Sequence, residues 1–179
     1  KVRGASGSVG IAEVAQAWYL RPQDLPEDVD RGGLEVTAGY KPLRDSGTFS
    51  YAAHAVVVAV DIELGEVEIL DYVVIEDGGR LVNPMIVDGQ IHGGIAHGIG
   101  QALLETCIYD RDSGQLLTGS YNDYCMPRAD DLPNFETDTK VSPCPHNPLG
   151  VKGCGEAGTI GAAASVMNAV VDALAPLGI

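Results

Sequence analysis

Cationic side chains are scarce in this chain. Its 11 Lys and Arg are set against 25 Asp and Glu, for a net charge of −14. Such a surface repels the phosphates of nucleic acids and anionic membrane surfaces, so neither is an expected partner. Long apolar runs are also missing. The longest, residues 52–60, contains His54 and falls well short of the ~20 residues of a spanning helix. The first residues, Lys1-Val2-Arg3, lead into glycine and serine rather than an apolar core, so no secretory leader is read there. The four cysteines, Cys107, Cys125, Cys144 and Cys154, form no Cys-x-x-Cys pair. Zinc and iron–sulfur ligation within this chain are therefore not expected, and a reduced, cytoplasmic setting is. No Gly-x-Ser-x-Gly elbow, tandem repeat or low-complexity linker is present.

Glycine, in contrast, is abundant: 23 residues, about twice the usual share. This implies tight turns and close backbone contacts. The residue pattern predicts an α+β fold. Residues 9–20 read as a helix capped by Ser8, and 21–33 as an acidic connector. Residues 48–61 and 67–76 are β-rich and flank Glu63-Leu64-Gly65-Glu66, the pattern of a hairpin. Asn83-Pro84 marks a helix entry, and 85–106 reads as one helix carrying Gly89, Gly93, Gly94, Gly98 and Gly100. Each glycine costs up to ~1 kcal/mol in an exposed helix, so something packs closely against this one. A neighbouring helix or strand would serve, and so would a flat cofactor. Short strands are expected at 106–109 and 115–118, another at 135–141, and a final helix over 162–174. The chain divides into an N-terminal helix and connector, 1–45, and a larger region, 46–179.

The most informative stretch is Gly150-Val151-Lys152-Gly153-Cys154-Gly155-Glu156-Ala157-Gly158. It places a carboxylate at the mouth of a glycine-rich turn before a helix. Glycines let the backbone approach another body, and a helix start favours a negative charge. Glu156 is thus a candidate general base, with a structural capping acid as the alternative. The letters also satisfy Gly-x-Gly-x-x-Gly, but three prolines precede it where a dinucleotide fold needs a strand. Cys154, at a helix start, could be a reactive thiol, although no histidine is spaced as its base. His92 and His97 lie about 140° apart around a helix, poor geometry for one metal. His54, within a β run, reads as a hydrogen-bonded sheet residue.

These blocks resemble the molybdenum hydroxylases, the family of xanthine oxidase, carbon monoxide dehydrogenase-type and aldehyde oxidoreductase proteins. Gly150 to Gly161 is similar to that family's active-site glutamate segment. Phe49-Ser50-Tyr51 with His54, the run from Asn83-Pro84 through Gln90 to Ala102, and Asp123-Tyr124 with Asp130-Asp131-Leu132-Pro133 agree in order and spacing. The resemblance spans roughly residues 45–177. It implies that Glu156 is the general base beside molybdenum and that Gln90 hydrogen-bonds the molybdopterin. It also implies that Lys152, Gly153, Cys154 and Gly155 present backbone groups to the cofactor, with no protein side chain as a metal ligand. Molybdopterin with molybdenum is the implied cofactor, its cytosine dinucleotide form included, with FAD and 2Fe-2S clusters on partner domains or subunits. The implied substrate is an aldehyde, an N-heteroaromatic compound or carbon monoxide, oxidised with water-derived oxygen. His97 stands where glutamine is more usual. The family's large subunit is several times longer, so the chain reads as a C-terminal piece that works with the rest of that subunit and with iron–sulfur and FAD partners. The alternative is a non-catalytic assembly or binding module of the same fold.

Overall fold

A computed structural model describes residues 2–4, 7–29, 32–42, 44 and 47–179. The chain forms two compact units, Lys1–Lys41 and Pro42–Ile179. The boundary expected between residues 45 and 46 lies outside the described residues, as do positions 30 and 31 of the connector.

In the first unit, β1 (Val2–Gly4) pairs antiparallel with β2 (Gly7–Val9), and α1 (Ile11–Leu20) follows. The helix starts two residues later than the sequence predicts, and Ser8 is not its cap. Val9 is opposite Val2 in the hairpin, which keeps residues 7–9 extended. Gly10 becomes the N-cap, without any side-chain cap bond.

The second unit is α+β. Strands β3 (Tyr51–Asp61) and β4 (Glu66–Asp77) form the predicted hairpin. At its tip Asp61 Oδ1 accepts the amides of Glu63 and Leu64, a short polar side chain replacing ladder bonds. Strand β5 (Phe135–Thr139) lies parallel to β4 on its other side, giving the order β3-β4-β5. Parallel pairing requires a crossover, and α2 (Pro84–Leu103) lies within it. Asn83 caps α2 through Oδ1, which accepts the Ile86 amide, and Pro84 occupies the first turn where its missing N–H costs nothing. The helix ends three residues before the predicted Thr106, where the amides of Leu104 and Glu105 both turn back onto the Gly100 carbonyl. The short strands expected at 106–109 and 115–118 reduce to one bridge between Tyr109 and Leu116. Asp110 closes that turn by accepting from both Ser113 groups.

Helix α3 (Ala157–Leu174) begins directly after Glu156, earlier than its apolar run suggests, and packs on α2 and β3. The core joins Tyr72 and Val74 of β4, Ala162 and Val166 of α3, and Val87, Ile91, Ile95 and Ile99 of α2. The last four recur every fourth residue and so share one helix face. The 21-residue stretch Ala157–Leu177 contains an 18-residue window of mean hydropathy 1.5, enough in length and composition to cross a membrane. Interspersed Thr, Ser and Asn hide this from a search for unbroken apolar runs. Its buried positions, Ala157, Gly158, Ala162 and Val166, line the packed side of the helix.

Four of the five glycines of α2 divide between two sides, while Gly100 faces Glu105 and Pro127. A Cβ on Gly94 would lie 2.8 Å from Thr159 N, and one on Gly158 would lie 2.6 Å from Ile91 O. Gly98 likewise leaves no room before Ala162. The two helices therefore touch backbone to backbone along this seam. Gly89 and Gly93 have nothing within 4 Å and face open space.

Candidate functional site

The end of β4 organises the loop that precedes α3. Asp77 Oδ1 accepts the amides of Gly79 at 2.9 Å and Ser142 at 3.0 Å, and its Oδ2 lies 3.0 Å from Lys152 Nζ. Burial alone would raise this carboxyl. The two amides and the Lys152 ammonium outweigh that and hold it well below the usual carboxylate range. Lys152 N–H donates to Gly78 O, Arg80 N–H donates to Gly150 O, and Gly79 bridges Val151. Asn147 completes the clasp, its side chain bonding both N–H and C=O of Val151.

Beyond this clasp the loop alternates. The Lys152 side chain is buried and Cys154 is half-buried, its Cβ 3.6 Å from where a Gly78 Cβ would stand. Gly153 and Gly155 point to the exposed side. Gly153 has open space around it, and a Cβ on Gly155 would meet only Gln90 Oε1, at 4.0 Å. Residues 90 and 155, far apart in sequence, are therefore neighbours. Gln90 is exposed, and its amide makes no hydrogen bond to another described residue.

Glu156 is the N-cap residue of α3 at φ −118°, ψ 0°, and it is exposed. Its carbonyl accepts the amides of Thr159 and Ile160, but its side chain makes no cap bond. The capping role left open by the sequence is thus not what the carboxylate does. The predicted site residues come together as one surface, with Gln90, Gly153, Gly155 and Glu156 exposed. The Lys152 ammonium is turned into the protein.

Of the histidines, His54 lies beneath the start of α3, its ring against Gly161. His54 Nδ1 is 2.8 Å from Tyr72 Oη, but its buried Nε2 has no partner at hydrogen-bond geometry among the described residues, so the sheet residue expected to be satisfied is only half so. Burial lowers its pKa, opposed by the backbone of Ala157. His92 packs edge-on against Phe135 and lies 3.6 Å from Asp88, while His97 is exposed. All four cysteines are free thiols. Among the described residues no three His, Cys, Asp or Glu converge as a metal site.

Two acidic residues of β4 were not singled out from sequence. Asp77 is one. The other is Glu76, 1% exposed, whose carboxylate oxygens have no hydrogen-bond partner. Burial pushes its pKa up to about 7. Strand alternation was the available signal, since it places residue 76 on the inner face with Tyr72 and Val74.

Residues 1–133 match the family model of the molybdopterin cofactor-binding domain. The chain belongs to this family. It is 41% identical over 177 residues to the nicotine 6-hydroxylase large subunit of Paenarthrobacter nicotinovorans, an alignment covering 99% of this chain and 21% of that protein. The carbon monoxide dehydrogenase large chain of Hydrogenophaga pseudoflava is 35% identical over 170 residues, 94% of this chain and 20% of the other. Among solved structures, quinoline 2-oxidoreductase from Pseudomonas putida 86 superposes with a TM-score of 0.81 at 42% identity, covering 94% of this chain and 21% of that one. The chain therefore spans about a fifth of the length of these relatives. The resemblance read from the glycine and proline blocks holds, and so does the α+β class. The matched family segment ends before the Glu156 loop, whereas the alignments to the relatives extend over nearly the whole chain.

The residues present fit a molybdopterin. Gly89, Gly93 and Gly153 leave open the space that side chains would fill, and the unpaired Gln90 amide lies beside Gly155. A flat, polar group can use this combination of close backbone approach and a free donor–acceptor.

Proposed function

We propose that this chain forms one wall of the active site in the large subunit of a molybdenum-dependent hydroxylase. In this reading Glu156 is the general base, Gln90 hydrogen-bonds the molybdopterin, and Gly153, Cys154 and Gly155 offer it backbone groups; the Lys152 amide is given to Gly78 O, so Lys152 has only its carbonyl to offer. The bound molybdenum cofactor supplies the redox centre that takes two electrons from the substrate. The observation that carries the proposal is the exposed Glu156 carboxylate. It makes no cap bond and follows a glycine loop that faces an unpaired amide. Its oxygens are free to accept a proton from water as that water's oxygen is delivered to the substrate. Gln90 can donate and accept together, which suits the edge of a pterin. Gly153 and Gly155 let a planar group approach to backbone distance without a side chain between.

N-heteroaromatic compounds are the favoured substrate class. The relatives at 41% and 42% identity are named for nicotine and quinoline, against 34–35% for the carbon monoxide dehydrogenases. Electrons would leave through 2Fe-2S and FAD groups on partner domains or subunits of a cytoplasmic complex. Residues 46–179 would supply the cofactor wall, and 1–45 would join it to the rest of the subunit.

Glu156→Gln in the assembled enzyme tests this. Turnover should fall by ~10² to 10⁴ while molybdopterin content stays near wild type. Turnover within about threefold of wild type would remove the base assignment and leave a binding module as the better description.

A further inference from the structure

Between Lys152 and the first turn of α3 the loop is held only by the half-buried Cys154 side chain, which packs against the core. The backbone amides of Gly153, Cys154 and Gly155 enter no hydrogen bond with the described residues, and two of the three carry no side chain to brace. Where Glu156 stands is therefore set by α3 on one side and, on the other, by Lys152 together with the packed Cys154 side chain. Lys152 is held at both ends: its amide donates to Gly78 O at 3.1 Å, and its ammonium lies 3.0 Å from Asp77 and 5.0 Å from the centre of the Tyr51 ring. The side chains of Lys152 and Asp77 are only 7% and 11% exposed. Asp77 in turn clasps the amides of Gly79 and Ser142, so one carboxylate ties three chain segments together.

Stability alone gives little reason for a charged pair here, because buried ion pairs are often matched by apolar replacements of the same volume. What a charged pair adds is a fixed distance and direction. It also removes the ammonium from the exposed face, so the cation is not available to a ligand there.

We propose that the Asp77–Lys152 ion pair is a positioning device for Glu156, holding the 152–156 turn so that the carboxylate is presented at a fixed place beside Gln90. The proposal rests on Glu156 being the base. Neither Asp77 nor Lys152 touches substrate; both act through the backbone that leads to Glu156.

The test is a double-mutant cycle on the assembled, cofactor-loaded enzyme, with kcat, KM and molybdenum content measured for wild type, Lys152→Met, Glu156→Gln and the double variant. Lys152→Met should lower kcat at least about tenfold, since displacements near 1 Å cost up to ~10²-fold, with molybdenum content retained. In the Glu156→Gln background it should cause no further loss beyond about twofold, because a positioning effect needs its target. Lys152→Arg, which keeps the charge, should recover most of the lost kcat. Should Lys152→Met fail to assemble, Asp77→Asn breaks the same pair at constant shape and enters the same cycle. The proposal is overturned if the pair variant keeps wild-type kcat, or if it lowers Glu156→Gln by the same factor as wild type. If Glu156→Gln itself turns over normally, the base assignment fails instead, so the two failures are distinguishable.

Discussion

Adjacent glycines on α2 should respond to the same substitution with opposite signs. At Gly93 an added methyl meets nothing within 4 Å. Alanine there gains helix propensity, up to ~1 kcal/mol. At Gly94 the same methyl would stand 2.8 Å from Thr159 N, 2.9 Å from Gly158 C and 3.0 Å from Gly158 Cα. Carbon contacts are comfortable at about 3.5–4.0 Å, and these neighbours are backbone, which cannot swing aside like a side-chain tip. Relief requires α2 and α3 to part, which breaks the seam along Gly98 and Gly158 and the 3.2 Å bond from Thr159 Oγ1 to Gly94 O. Both variants gain the same helix propensity, so the overpacking of about 1–3 kcal/mol is what should separate Gly94→Ala from Gly93→Ala. For a chain of this size that is roughly 2–12 °C in Tm. Thermal unfolding of the two variants beside wild type measures it. If Gly94→Ala is as stable as Gly93→Ala, the close helix contact is not what the glycines are for. In the assembled enzyme, Gly93→Ala should instead reduce molybdopterin content, because its methyl would occupy the open side of α2.

Two further outcomes follow from other parts of the site. Because burial raises Glu76 from 4.5 to about 7, the folded state keeps a proton that the unfolded chain releases, so stability is full below pH ~4.5 and declines as pH rises through 7. The full shift corresponds to about 3 kcal/mol, and screening by nearby solvent reduces it to about 1–2 kcal/mol. Glu76→Gln should therefore gain that much relative to wild type at pH 8 over pH 5 in denaturant titrations, and an equal offset at both pH values would refute it. Gln90→Ala should weaken cofactor retention by about 1–3 kcal/mol, read as molybdenum and pterin content after dialysis, and unchanged content would remove Gln90 from the site.

The hairpin, both helices of the second unit and the exposed Glu156 were legible because they are local. Alternation, glycine and proline punctuation, and an apolar period each act within a few residues. What was hidden is non-local. Nothing in Phe135 to Thr139 announces that it will lie parallel to β4, or that Asp77 will meet a lysine 75 positions away. Ser8 looked like a cap because its type suits one, yet pairing of Val9 with Val2 overrode that preference. The glycines of α2 signalled close approach but not its direction. Only the packed helices show that Gly94 and Gly98 meet α3 while Gly89 and Gly93 do not. Residues 106–118 had strand composition but made a single bridge, since two short segments with no third strand have little to hold them.

The seam between α2 and α3 has a mechanical consequence. Gly158 lies against Ile91, so a residue two positions from Glu156 on one helix and the residue after Gln90 on the other are in backbone contact. No compressible layer of side chains separates them. Rotation or sliding of either helix must carry the other with it, so the amide and the carboxylate travel together when the surrounding protein moves. On the proposed reading, a ligand held at Gln90 would keep its spacing to the start of α3, and the Asp77–Lys152 pair would then set the turn that leads into it.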